Sequence, residues 1–414
     1  MKTQKFKYVI IGNSIAAVAA IEGIRKTDAK GSIAVVGDEN HFVYGRPLIS
    51  YYLLGATDAE RMKYRPADFY EKNGATTLLG VRAENIDTAK KSVALSDGKT
   101  LGYDKLLVAT GSRPFDPPME GIEQVKEHFH FMTMDDALAL EKALSPEKRV
   151  LIVGAGLIGL KCLEGIADRV RSVAVVDMAD RILPSILDEY GAGIVQKALE
   201  EKGTEFYLSD SVAKFEGNTA HLKSGKTLDF DILVVAVGVR ANVELVKEAG
   251  GEVGRGIVVN ERSETTLKDV YAAGDCTECY DITSGQRKVL ALLPNAYLQG
   301  YCAGVNMAGG DEVFDNAAPF NSIGFFGTHV HTAGCYCGVR YVEKSENTYK
   351  VLFMEDGLLK GFILVNLPER AGIYTSLVRG RTPLADVDLA LLERAPELMA
   401  FSAEERAKKL AREV

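Results

Sequence analysis

Residues 98–113 read GKTLGYDKLLVATGSR and residues 225–240 read GKTLDFDILVVAVGVR, ten of the sixteen positions being identical. An internal repeat takes precedence over other signals because it dictates architecture. Each copy follows a short apolar run and a glycine turn, YVIIGNSIAA (8–17) before the first and RVLIVGAGLIG (149–159) before the second. The chain therefore holds two related units.

Each unit reads as strand, turn, helix, strand. Residues 8–11 are apolar and β-branched, 15–25 carry helical spacing and 32–36 predict the next strand; 149–153, 157–167 and 172–176 repeat the order. Strands alternating with helices imply parallel sheets covered on both faces. Beyond 315 the pattern changes. Residues 349–354 and 358–366 predict antiparallel strands around Glu355, Asp356 and Gly357, and the charged, helix-like stretch 384–414 reads as a solvated pair of surface helices. The expected class is α/β, with two Rossmann-like units and a C-terminal α+β domain.

The bulk properties agree with this reading. At about 150 residues per domain, 414 residues suggest about three. With 47% hydrophobic and 26% charged residues, the composition is that of a globular protein, and a net charge of −8 disfavours nucleic acid or an anionic membrane as the main partner. No apolar run is long enough for a membrane span. Lys2, Lys5 and Lys7 before an apolar stretch with an A-x-A-like end resemble a secretion signal, but Gly12, Asn13 and Ser14 interrupt the apolar segment, and cleavage would remove a strand whose companions are all present. Six irregularly spaced cysteines describe no disulfide framework, so a reducing, cytoplasmic location is expected.

GAGLIG (154–159) fits GxGxxG at every position, and Asp177 follows 23 residues after Gly154 at the end of the next strand. Gly154, Gly156 and Gly159 would permit the turn, the approach of pyrophosphate and close helix packing, with Leu157 and Ile158 opening the helix. Asp177 would accept from a ribose 2′-hydroxyl and repel a 2′-phosphate, favouring NADH over NADPH. Val237 and Gly238, at the end of the second repeat copy, are expected beside the same nucleotide. In the first unit Gly12 is kept, Ala17 fills the third position and Ser14 stands where backbone would meet phosphate; a serine hydroxyl can itself donate to a phosphate oxygen. Asp38 is the matching acid, with Glu39 a competing candidate.

Two dinucleotide sites suit two cofactors exchanging electrons. YGRPLIS (44–50), YDKLLVATGSRP (103–114), VYAAGDC (270–276), LPNAYLQGYCAG (293–304) and FFGTHVHTAG (325–334) stand in the order of the FAD-dependent pyridine nucleotide-disulfide oxidoreductases over nearly the whole length. The chain resembles that superfamily, and within it the branch of NADH:rubredoxin reductase, ferredoxin reductase and the nitrite reductase flavin domain. The resemblance implies FAD in a discontinuous domain (1–115 and 241–314), NADH in an inserted domain (116–240), and a third domain (315–414) that closes over the flavin and often makes a homodimer. It also implies site residues: Gly12, Ser14 and Ala17 at the FAD pyrophosphate, Asp38 at its ribose, Arg46 near the flavin, Val81 near adenine, Ala109, Thr110 and Gly111 under the cofactor, and Asp275 on a ribityl hydroxyl. Asn295 and Ala296 would open a helix whose positive end faces the flavin.

Many such relatives pass electrons through a cysteine. In the single-cysteine branches that residue lies in a segment like 42–47, where this chain has Tyr44, and neither a CxxxxC there nor a CxxC in the middle unit is present. Cys276 and Cys279 (CxxC) and Cys335 and Cys337 (CxC) could be imagined as a metal or cluster site, but they share no established spacing, and buried thiols are the better reading. His329 and His331 alternate along a predicted strand and read as packing or surface residues, so no metal site is expected. The family commonly has glutamate where Lys161 stands, one turn into the second helix and near the nicotinamide. Lys161 would reverse the local charge there, or point to solvent. The expected enzyme is an FAD-dependent NADH oxidoreductase delivering electrons to a small redox protein or iron-sulfur subunit. Delivery to a small molecule, as in NADH oxidases, peroxidases or disulfide reductases, and a slow flavin-binding scaffold are the alternatives.

Overall fold

The computed structural model describes residues 4–411; Lys2 and the last three residues of the expected helical tail lie outside the described residues. The first sheet has parallel strands Ala75–Leu79, Ile33–Gly37, Gln4–Ile11 and Thr100–Val108, extended by Val270–Ala272 on the far side of the last. Ser92–Leu95 and Ala83–Asp87 add an antiparallel edge. Val9, Ile10, Val35 and Leu107 are fully buried, as a sheet covered on both faces requires. Helix Ile15–Thr27 packs along helix Leu293–Met307, where a β-carbon on Gly300 or Gly304 would fall 2.2 Å from the carbonyl oxygens of Ala16 or Ala20. That close approach ties a segment late in the chain to the first glycine turn.

The second sheet is wholly parallel, in the order Thr204–Tyr207, Ser172–Val176, Arg149–Val153, Ile232–Val235 and His128–Phe129. The predicted strands 149–153 and 172–176 match their observed bounds, while the predicted helix 157–167 is observed as Leu157–Ile166, followed by a 3₁₀ turn. The repeat copies differ in one respect. The first is a single nine-residue strand, whereas the second breaks between Thr227–Asp229 and Ile232–Val235, where Asp231 leaves the ladder to accept from the Arg149 backbone N–H (2.8 Å). At the end of each copy, Ser112–Pro114 pairs antiparallel with Val239–Ala241, setting Arg113 opposite Arg240.

The C-terminal region is a five-stranded antiparallel sheet: Phe320–Phe325, Thr328–Gly334, Leu358–Val365, Tyr349–Glu355 and Val339–Lys344. Residues Asp356 and Gly357 turn the expected hairpin, both at positive φ. Tyr349, Val351 and Phe353 pack with the second unit's core, and Leu352, Leu364 and Phe362 face helix Ala371–Gly380. The expected solvated helix pair over 384–414 is corrected. Helices Leu389–Arg394 and Ala403–Leu410 are short and separated by the 3₁₀ turn Leu398–Ala400, and Leu392, Ala400 and Phe401 are buried beside Tyr374. Pro396 breaks the run between them.

Candidate functional site

The first glycine turn forms one side of a cleft that opens to solvent. Gly12, at φ +118°, donates to the Val36 carbonyl (2.7 Å), and a β-carbon on it would lie 2.0 Å from the Ala109 carbonyl oxygen. Only glycine fits. Ser14 precedes helix Ile15–Thr27 and its side chain caps nothing, so the hydroxyl and the unpaired N–H groups of the first turn are available to an anion. Asp38 is exposed at the end of Ile33–Gly37, its Oδ1 accepting only from the Glu39 N–H (3.0 Å). Glu39, its rival, is committed elsewhere. One carboxylate oxygen pairs with Arg46 and the other accepts from the Tyr44 hydroxyl (2.6 Å), which in turn accepts from the Met134 N–H (2.9 Å).

Arg46 also donates to the Met132 carbonyl (3.1 Å), drawing a second-unit loop over the cleft. Asp275 lies on the floor. Burial pushes its carboxyl up to about 6, the Arg46 guanidinium partly opposing the shift. The turn carrying it is held by Gln299, whose Oε1 accepts from the Gly274 N–H and the Thr277 hydroxyl, each at 2.8 Å. Ala109, Thr110, Gly111 and Ala296 complete the lining among the expected residues. Ala17, 1% exposed, lies behind the turn; Val81 is not in the lining but donates to the carbonyl of Gly37 (2.9 Å), which is; and Asn295 is buried, donating to the Ala318 carbonyl (2.9 Å). The cleft thus gathers nine of the twelve residues expected at FAD, and the other three are not part of its lining. Asn13, His41, Ser112 and Met132 also line it without having been anticipated: Asn13 and Ser112 sit inside the quoted turn and repeat at positions with no fingerprint role, and His41 and Met132 belong to no motif.

At the second turn Gly154 repeats the geometry of Gly12, at φ +117°, donating to the Val176 carbonyl (2.8 Å) with the Ala236 carbonyl oxygen 2.4 Å from its would-be β-carbon. Gly159 presses on the Gly154 carbonyl in the same way, whereas Gly156 faces open space. Asp177 is fixed by two backbone donors, the N–H groups of Ala155 (2.6 Å) and Ala179 (2.8 Å). Leu157 and Ile158 are half-buried and Val237 and Gly238 exposed beside them, so this turn sits on an open face.

Lys161 neither points to solvent nor reverses the local charge. Its ammonium is paired with the buried Glu164, donates to the Gly324 carbonyl (3.2 Å) and lies 4.4 Å from the Tyr51 ring centroid and 5.7 Å from that of Phe325. Glu164 spends its second oxygen on the Phe326 N–H (2.8 Å). The lysine therefore joins both nucleotide units to the C-terminal sheet.

Among the described residues all six cysteines are unpaired. Burial pushes Cys276, Cys279 and Cys302 each up to about 11, and burial together with Cys335 and Glu355 takes Cys337 up to about 12. Cys276 adjoins Asp275 in sequence, yet its thiol turns into the core toward the Val108 and Ala273 carbonyls.

The two cradles fit dinucleotides. Each has a tight glycine turn ahead of a helix N-terminus, Gly156 leaves a β-carbon-free approach in the second, and in the first the Ser112 Oγ is buried in the lining without a partner, as expected where a polar ligand belongs. This fold and these sites define a two-nucleotide flavoprotein reductase. The chain belongs to the pyridine nucleotide-disulphide oxidoreductase family, whose model matches residues 6–300, and it is an NADH-dependent FAD oxidoreductase. It is 32% identical over 391 residues to the epsilon subunit of NADH-dependent phenylglyoxylate dehydrogenase of Aromatoleum evansii, covering 91% of this chain and 92% of that one. It is 30% identical to the assimilatory nitrate reductase electron transfer subunit of Bacillus subtilis, 91% of this chain aligning with half of that longer protein. In the solved covalent complex of putidaredoxin reductase with putidaredoxin, the matched chain superimposes with a TM-score of 0.86 at 25% identity, over 99% of both chains.

Proposed function

We propose that this protein carries electrons from NADH through FAD to a small redox protein or iron-sulfur subunit, with no protein thiol as a relay. The observation that carries the reading is the cleft wall: Tyr44, from the segment 42–47 where the resemblance puts a relay cysteine, lines it, and no cysteine does among the described residues. The relatives named for electron transfer between proteins support it. When bound, FAD supplies the exchange between one two-electron donor and one-electron acceptors.

The residues divide the remaining work. Gly12 and Ser14, with Thr110 and Gly111 opposite, hold a pyrophosphate at a helix N-terminus; Asp38 accepts from a ribose hydroxyl; Asp275 accepts from, or when protonated donates to, a ribityl hydroxyl. Arg46, oriented by Glu39 and Met132, places positive charge at the cleft. Gly156 and Asp177 take the NADH pyrophosphate and ribose on the open second turn, beside Val237 and Gly238. In this reading residues 1–115 and 241–314 form the FAD domain, 116–240 the NAD domain and 315–414 the interface domain. The six unpaired cysteines support a reducing, cytoplasmic compartment. A homodimer formed through the third region, where Val339 is 72% exposed on an edge strand, belongs to the same reading and is read by sedimentation.

Stopped-flow mixing of the FAD-loaded protein with NADH tests the proposal. Rapid bleaching, followed by faster reoxidation by rubredoxin or ferredoxin than by oxygen, peroxide or a small disulfide, is expected. Preference for a small molecule would overturn the acceptor assignment, and slow bleaching would leave a flavin-binding scaffold.

A further inference from the structure

A cluster of three potential ligands lies outside the cleft. Asp116 follows strand Ser112–Pro114 by two residues, and His128 and His130 come from the edge of the second sheet, where residues two apart share a face. One ligand atom from each lies within 4.8 Å of the other two, and the imidazole rings meet edge to face with centroids 5.4 Å apart.

Their hydrogen bonding is incomplete in a particular way. His130 Nδ1 lies 3.3 Å from the Val235 carbonyl, which can only accept, so Nδ1 carries the proton. In the neutral ring Nε2 then turns its lone pair toward an Asp116 carboxylate oxygen 3.2 Å away, acceptor against acceptor. Something positive has to lie between them. A proton on His130 would serve that contact, but it would leave His128 unexplained: its Nε2 is shut off from solvent and has no partner, a costly state for a polar atom. A single cation answers both. The bond from Nδ1 to a backbone carbonyl is also the outer-shell contact that typically orients a metal-binding histidine.

We propose that Asp116, His128 and His130 form a binding site for a divalent transition cation of the zinc or copper type. Two imidazoles and a carboxylate are a ligand set for such ions rather than for calcium or magnesium. Bonds of about 2.0–2.2 Å put tetrahedral ligand atoms about 3.4 Å apart, close to the present His130–Asp116 separation of 3.2 Å, so binding needs only side-chain adjustment, with water completing the shell on the exposed Asp116 side. The site would tie the segment leaving Ser112–Pro114 to the strand beside Ile232–Val235, next to the second nucleotide turn.

The test uses the FAD-loaded full chain, stripped with a chelator and titrated with zinc chloride in a calorimeter. One equivalent bound at micromolar zinc is expected, with Asp116→Asn and His130→Gln each weakening it at least tenfold and Cys335→Ser/Cys337→Ser retaining it. Cupric ion at the site should show superhyperfine splitting from two imidazole nitrogens. Asp116 is exposed, so its variant should keep FAD content and melting temperature unchanged. Binding that survives both ligand variants, disappears with the two cysteines, or requires millimolar zinc would overturn the assignment in favour of an adventitious ion or a plain imidazolium–carboxylate contact.

Discussion

Glu164 holds the Lys161 ammonium with one carboxylate oxygen and the Phe326 N–H with the other, so a single buried acid ties the second nucleotide unit to the C-terminal sheet. Removing one member strands the other. Glu164→Ala is expected to cost about 3–5 kcal/mol, the usual penalty for an uncompensated buried charge. Lys161→Met/Glu164→Gln should recover most of that loss, because it removes both charges. Denaturant unfolding of the FAD-loaded variants decides; equal losses in the two would show that the pairing is not what stabilises the junction.

The second turn separates folding from binding. Gly154→Ala should fail to fold, its β-carbon meeting backbone, whereas Gly156→Ala faces open space and should melt like the parent while losing NADH affinity. Asp177→Ala should weaken NADH binding about tenfold or more, the loss of a charge-assisted hydrogen bond of about 1.5–3 kcal/mol, while FAD stays bound. Fluorescence titration with NADH reads both variants, and unchanged affinity in either would count against a nucleotide on this face.

Replacing Cys276, Cys279, Cys335 and Cys337 together by serine should leave NADH-driven acceptor reduction largely intact, because none of the four lines the cleft and burial lifts Cys276 and Cys279 to about 11 and Cys337 to about 12, far from thiolate at neutral pH. Steady-state assays of the quadruple variant decide the point. A collapse of turnover with FAD content preserved would restore a sulfur relay.

Asp275 predicts a pH dependence of the FAD-free protein. Its carboxyl stands at about 6 in the fold against an ordinary 3.8, so between those values the folded state holds the extra proton. Its contribution is fully favourable below about pH 4 and is lost as pH rises through about 6. The difference in unfolding midpoint between parent and Asp275→Asn, measured from pH 4 to 7, should therefore move in favour of the variant as pH rises. A flat difference would place the carboxylate in a better solvated setting than the cleft floor.

Much of this molecule could be read from residue order alone, because the glycine turns are local. Gly12 and Gly154 need no distant information to declare a strand-to-helix turn, and the repeat reveals the pairing of the two units. What sequence could not supply were side-chain partnerships, even between near neighbours. Glu39 looked like a rival to Asp38 until Arg46 and Tyr44 claimed it, and Lys161 looked like a charge reversal until Glu164, three residues on, neutralised it. Gln299 holds the Asp275 turn from 24 residues away with no motif to announce it. The tail between 384 and 411 misled for a different reason: its charged surface residues outnumber Leu392, Ala400 and Phe401, the few that are buried.

The strand pair Ser112–Pro114 with Val239–Ala241 also bears on how a nascent chain matures. Entrance and exit of the middle segment emerge side by side, so that segment can complete its own five-stranded sheet as soon as residue 241 has left the ribosome. The outer sheet has to wait for Val270–Ala272 and for the helix that follows it. Translation therefore lets the middle segment finish first, and the outer sheet closes around a partner already in place.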